Sequence, residues 1–172
     1  MRTTGLSHLA LYTADLDRFR RFYEGLLGIR VGVVLRMAHP PYLRHATFHV
    51  GDALVLHVFE EPGYDPQAKG IGTGMGERGR IDHFGFMVRD EAELRAVAER
   101  LRGAGATDGD VRRFGPVLSV HVTDPDGLEL EINCPDLEFE LDGAGEEVEE
   151  IGLPDWLERM RAAVLVAPAS PP

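Results

Sequence analysis

Along most of the first 135 positions apolar and polar residues alternate, and two stretches switch to the three- and four-residue spacing of a helix. "LSHLALYTADLDRFRRFYEGLLG", from Leu6, and "IDHFGFMVRDEAELRAVAERLRG", from Ile81, carry the same pattern without gaps at an offset of 75. His8 falls on His83, Asp15 on Asp90, Phe19 on Leu94, Phe22 on Val97, Leu26 on Leu101 and Gly28 on Gly103. Each copy reads as a short strand, a capping Asp and an amphipathic helix. Asp90 has Glu93 three residues on, close to a capping box, and Gly28 and Gly103 are the expected left-handed stops.

Further strands follow each helix. The first copy gives "IRVGVVLRM", "LRHATFHV" and "DALVLHVFE"; the second gives a poorer strand around "GDVRRFG", then "VLSVHV" and "LELEINC". The closing hairpins, "HVGDALVLH" and "HVTDPDGLELE", also correspond, which matches His49 with His121 and His57 with Glu131. The repeat therefore predicts two β-α-β-β-β modules, residues 6–60 and 80–135. The Gly-rich stretch 61–79 lacks periodicity and reads as their linker.

His8, His57, His83 and Glu131 are polar intrusions into apolar strands, and they fill two pairs of equivalent repeat positions. Modules packed with pseudo-twofold symmetry would turn all four toward one cleft. Three imidazoles and a carboxylate in such a place have the chemistry of a metal site. Glu129 lies two residues before Glu131 on the same face and is expected at the cleft edge or in solvent.

Composition narrows the partners. The formal net charge is −11, which argues against nucleic acid or an anionic membrane, although seven of the 29 acidic residues fall between Glu138 and Glu150. The single cysteine, Cys134, excludes an internal disulfide; it sits three residues after Glu131 and is expected on the opposite face in a structural role. The N-terminal stretch lacks the apolar run of a signal peptide and no segment approaches membrane-spanning length, so a cytoplasmic protein is expected.

With "LSHLALYTADLDRFRRFYEGLLGIRV", "IDHFGFMVRDEAEL" and "VHVTDPDGLELEI", the chain resembles the vicinal oxygen chelate superfamily over residues 6–135. That group contains glyoxalases, extradiol dioxygenases, epimerases and antibiotic-resistance proteins. The resemblance implies an α+β fold in which two tandem βαβββ modules form a cupped mixed β-sheet cleft. It further implies a divalent metal held by His8, His83 and Glu131, with Fe2+ favoured and Zn2+, Ni2+ or Mn2+ as alternatives. His57 departs from the family pattern: it is a fourth ligand, a group bonded to substrate, or spare. His121 takes the place of an active-site Tyr and is the candidate acid–base group with His57; Arg112 and His49 are the candidates for holding substrate.

Three function classes fit. Extradiol-type ring cleavage needs three ligands and open positions for a catecholate and O2. Arg112 stands where that group carries a catalytic His, and an Arg does not titrate. A glyoxalase- or epimerase-type lyase or isomerase suits four ligands, with Glu131 free to act as base. A metal-free binding protein fits least, because such members lack this ligand set. The leading expectation is a dioxygenase-like metal enzyme acting on a small molecule with vicinal oxygens. Residues 136–172 lie outside the resemblance: an acidic extension with a short C-terminal helix around Trp156 and a frayed end, suited to docking on the core or covering a homodimer contact.

Overall fold

The computed structural model describes residues 6–65, 83–114 and 116–138. The described chain forms two compact units. One comprises residues 6–65 together with the turn Thr123–Glu129; the other comprises residues 83–122 and 130–138. Of the expected linker, residues 66–79 lie outside the described residues, as does all of the C-terminal extension beyond Glu138, including the helix expected around Trp156. Among the described residues no helix is long and apolar enough to cross a membrane.

The first unit runs β1 (His8–Thr13), α1 (Leu16–Arg20), a π-helical continuation (Arg21–Leu26), β2 (Arg30–Arg36), β3 (Arg44–Val50) and β4 (Leu54–Glu60). Its strands lie in the order β1-β4-β3-β2, with β1 parallel to β4 and the remaining pairs antiparallel. The Asp15 carboxylate caps α1 by accepting from Asp17 N at 2.9 Å and Arg18 N at 3.0 Å. Beyond Arg20 the helix widens, Leu27 N bonding Phe22 O, and the wider turn buries Phe22 and Tyr23 beside Leu16 and Phe19. These side chains pack on Ala46, Phe48, Leu56 and Val58, the buried alternate residues of β3 and β4. Gly28, at φ 72°, ends the helix as the sequence predicts.

The second unit repeats the plan: β5 (Phe84–Met87), α2 (Glu91–Gly103), β6 (Arg112–Phe114), β7 (Val117–Thr123) and β8 (Glu129–Pro135), in the order β5-β8-β7-β6. Asp90 caps α2 through Glu93 N at 2.9 Å, while the Glu93 carboxylate accepts from Arg89 N, one residue short of a true capping box. Leu94, Val97, Ala98 and Leu101 form the buried stripe of α2. Gly103 is not the left-handed stop. It ends the helix, and Gly105, at φ 73°, makes the reversal two residues later.

The strand registers reproduce the sequence repeat. Ala10 on β1 pairs with His57 on β4, and Gly85 on β5 pairs with Glu131 on β8. Ala10 and Gly85 are themselves equivalent at the offset of 75. Two βαβββ units of one design follow, and β6 is the short, exposed strand that its poorer pattern implies.

Candidate functional site

In the first unit the buried residues of β4 are Leu56, Val58 and Glu60; Val55, His57 and Phe59 alternate with them and face away from that core. Because Ala10 pairs with His57, the His8, Ala10 and Tyr12 side of β1 shares this face. The His8 ring centre lies 5.0 Å from that of His57. From β3, His45 places its Nε2 3.2 Å from His57 Nδ1 and stacks on Phe59 with ring centres 4.6 Å apart. Burial, and then the neighbouring His57, push the His45 imidazole below its ordinary pKa. His45 falls within the predicted strand "LRHATFHV", where nothing local singles it out; its pairing with Phe59 across β3 and β4 is what aims it.

His49, the expected substrate contact, sits further along β3, opposite Val55. A Cβ added at Gly32 would collide with the His49 ring and with Thr47 Oγ1, so this imidazole packs closely over the bulge of β2. Thr47, not His49, is directly across from His57. The same number of residues separates Thr47 from His57 as separates His121 from Glu131. By count, Thr47 is therefore the counterpart of His121, and the match of His49 with His121 is corrected.

Along β8, Leu130, Ile132 and Cys134 are buried, while Glu129, Glu131 and Asn133 face the other way. His83, just before β5, brings Nε2 to 3.3 Å from Glu131 Oε2, and the Asn133 amide donates to Glu131 Oε1 at 3.3 Å. The His121 ring lies 5.9 Å from His83 and meets Phe114 edge-on at 5.6 Å. Thr107 Oγ1 donates to the His121 carbonyl at 2.5 Å, which fixes the backbone beneath that imidazole. Arg112 is engaged elsewhere: its guanidinium reaches Asp108 at 2.7 Å and Asp110 at 3.4 Å. Glu129 accepts from Thr123 Oγ1 at 2.9 Å. Cys134 takes the structural place expected of it, its thiol pushed up to about 11 by burial.

The expected ligands thus occur as a pair within each unit, His8 with His57 and His83 with Glu131. Among the described residues no group of three or more His, Cys, Asp or Glu is already gathered as a metal would need. The donor chemistry itself fits a divalent ion. His83 and Glu131 set an imidazole nitrogen and a carboxylate oxygen side by side, and Asn133 steadies the second oxygen.

Residues 5–132 match the family model described as the glyoxalase/bleomycin resistance protein/dioxygenase superfamily. The chain belongs to this superfamily. Among solved structures, a glyoxylase/bleomycin resistance protein/dioxygenase domain from Frankia sp. EAN1pec is 24% identical, with TM-score 0.63 over 80% of this chain and 96% of that one. Lactoylglutathione lyase from Agrobacterium tumefaciens is 23% identical, with TM-score 0.54 over 78% of this chain and 96% of its own. TnmS3, an antibiotic-binding protein from Streptomyces sp. CB03234, is 16% identical, with TM-score 0.57 over 79% and 99%. At these identities the likeness establishes the fold. The superfamily holds enzymes and binding proteins alike, so function has to be argued from the site.

The turn that carries the superfamily resemblance, Asp124-Pro125-Asp126-Gly127, has a structural use in the first unit that sequence reasoning missed. Asp126 accepts from Thr13 Oγ1 and Arg18 Nη2, both at 2.6 Å, and from Ala14 N at 3.3 Å. Asp124 accepts from the backbone nitrogens of Asp126 and Leu128 and from the Tyr23 hydroxyl at 2.9 Å. Burial lifts the Asp124 carboxyl to about 6 despite these bonds, and burial with Asp124 beside it drives the Tyr23 phenol well above its ordinary value. Nearby, Arg44 grips Glu60 through Nε at 2.6 Å and Nη2 at 2.7 Å while also reaching Asp17. That grip holds the Glu60 carboxyl below the usual range.

Proposed function

We propose that this chain is a divalent-metal-dependent enzyme acting on a small molecule that presents two neighbouring oxygens. The observation that carries the proposal is the His83–Glu131 pair, 3.3 Å apart and steadied by Asn133, with the repeat-equivalent pair His8 and His57 in the first unit. His8, His83 and Glu131 are assigned as ligands and His57 as the fourth. Fe2+, Ni2+, Zn2+ and Mn2+ all accept such a mixture of imidazole and carboxylate. When bound, the ion supplies Lewis acidity toward the two substrate oxygens and eases loss of a proton from the carbon beside a carbonyl.

The chain's own residues divide the remaining work. Asn133 holds Glu131 Oε1, which fixes the carboxylate's rotation. His121, on the Glu131 side of β7 and seated against Phe114, is assigned as the group that takes and returns the proton. His49 and Arg112, expected to hold substrate, have other contacts at Gly32 and at Asp108 and Asp110, so neither is given that role.

His57 beside His8 favours lyase or isomerase chemistry of the glyoxalase or epimerase kind. With four protein donors the ion would keep room for a bidentate substrate but not for O2 as well. Extradiol-type ring cleavage, the leading expectation from sequence, is the second reading. It is supported by His121 standing 5.9 Å from His83, and it requires His57 to act as base rather than ligand. The domain is assigned to residues 1–135, and a cytoplasmic homodimer is the assembly proposed for the chain. Sedimentation of the full chain and of a form ending at Pro135 tests the assembly.

The functional test begins with metal content after purification without chelator. Glu131→Ala should lose the bound ion and Glu129→Ala should keep it; stoichiometric metal in Glu131→Ala overturns the assignment. Metal-loaded protein should then exchange the proton α to a carbonyl of a 2-hydroxycarbonyl compound with deuterium from solvent. Oxygen uptake matched to catechol loss would instead establish the second reading.

A further inference from the structure

His45 is the one imidazole in direct contact with a candidate ligand that the assignment above leaves without a task. Its Nε2 is 3.2 Å from His57 Nδ1, and two imidazole nitrogens at that distance share a single proton. The His45 ring is held from two sides: it stacks on Phe59, its partner across the strands, and its ring centre lies 5.1 Å from that of His57. His57 has a ring neighbour on another strand as well, His8 on β1 at 5.0 Å. With Nδ1 occupied by His45, the nitrogen that His57 has left for chemistry is Nε2.

We propose that His45 is the positioning residue of His57. In this arrangement His57 carries its proton on Nδ1 and donates it to His45 Nε2. The bond fixes the rotation of the His57 ring and leaves Nε2 as a lone-pair donor. Histidines that ligate metals generally have their second nitrogen tied in this way, and the tie sets both tautomer and orientation. In the second unit Asn133 does the equivalent service for Glu131, so each unit supports the residue at its last-strand position with a polar partner from its own sheet. The inference rests on His57 acting as ligand or base for its use, but not for its geometry.

The geometry is tested on the full-length chain without added metal, by proton–nitrogen correlation spectroscopy of the histidine rings well above the ordinary imidazole pKa. Variants at His45 and His57 assign the signals. His57 should show the Nδ1–H tautomer in the parent and in His45→Gln, whose amide oxygen accepts the same proton. It should revert to Nε2–H in His45→Phe. An Nε2–H tautomer in the parent, or a tautomer indifferent to His45→Phe, overturns the proposal. Chelator competition with Zn2+ supplies the second readout. His45→Phe should weaken binding by about 10- to 100-fold, with most of the loss recovered in His45→Gln. If the tautomer responds as stated while affinity stays constant in every variant, the positioning role stands and His57 is removed from the ligand set.

Discussion

Asp124→Asn separates burial from hydrogen bonding at the turn that anchors α1. The native carboxylate is 6% exposed and accepts three bonds, from Asp126 N at 2.9 Å, Leu128 N at 2.8 Å and the Tyr23 hydroxyl. Loss of water and the nearby Asp126 nevertheless raise its pKa from 3.8 to about 6. Between those values the native state keeps a proton that the unfolded chain has lost. Stability from this group is therefore full below the ordinary carboxylate pKa and is lost as pH rises through about 6. A shift of about two units, at about 1.4 kcal/mol each, corresponds to about 3 kcal/mol. An Asn has the same shape and does not titrate. Its oxygen keeps both backbone bonds, and its amide donates to the Tyr23 oxygen in place of accepting from it.

Urea unfolding of parent and variant across this pH range gives the difference directly, because shared titrations cancel. The gap should move toward Asp124→Asn by about 3 kcal/mol between the acid and neutral ends. A gap that does not change with pH would show that the carboxyl is not lifted. One that moves toward the parent would show that the three hydrogen bonds outweigh burial, reversing the sign of the argument.

Arg44→Leu should cost about 2–3 kcal/mol in urea unfolding at neutral pH, since Glu60 would stay buried with only the Leu16 N–H against its charge. Arg44→Lys should recover part of this, lacking the two-pronged grip, and the deficit should shrink as pH falls below 4.5, where Glu60 gives up its lowered pKa. Gly105→Ala should destabilise by about 1 kcal/mol because φ is 73°, whereas Gly103→Ala, within α2, should be neutral or stabilising; thermal melts that rank them the other way would refute the placement of the helix stop. Gly85→Ala should weaken metal binding through Asn133, whose amide lies 3.0 Å from the added Cβ, and chelator competition should show no effect of this change in an Asn133→Ala background.

The repeat was legible because both copies keep strand parity and capping aspartates, which act within a few residues. Asp15 and Asp90 cap their helices, and the 75-residue offset carries Ala10 to Gly85 and, through their strand partners, His57 to Glu131. What failed was either a matter of one or two residues or genuinely non-local. Gly103 and Gly105 differ only in where the last turn of α2 closes. The hairpin match of His49 with His121 slipped by two residues, which preserves the face and so escapes a test by alternation. Arg112 was readable in hindsight, since Asp108 stands four residues before it and Asp110 two. The Asp126 bonds to Thr13 and Arg18 join positions more than 100 residues apart, and no local pattern marks them. His45 belongs with these: only the register of β3 on β4 sets it beside His57.

Both units solve one geometric problem in the same way. A side chain at the start of the first strand, His8, or just before it, His83, stands diagonally across a parallel strand pair from one on the last strand, His57 or Glu131. Diagonal neighbours on paired strands are far enough apart that only long side chains meet. The residue between them must then be small, and it is: Ala10 in one unit and Gly85 in the other. At Gly85 even one methyl would press on Asn133. What differs is the donor. Glu131 brings a carboxylate supported by an amide, and His57 brings an imidazole supported by another ring. A scaffold that repeats spacing while varying side chains can therefore alter its donors without altering its fold. If the proposed ligand set holds a divalent ion, Glu131 would be its one carboxylate ligand, which would leave more of the ion's charge for the substrate oxygens than a second carboxylate at position 57 would.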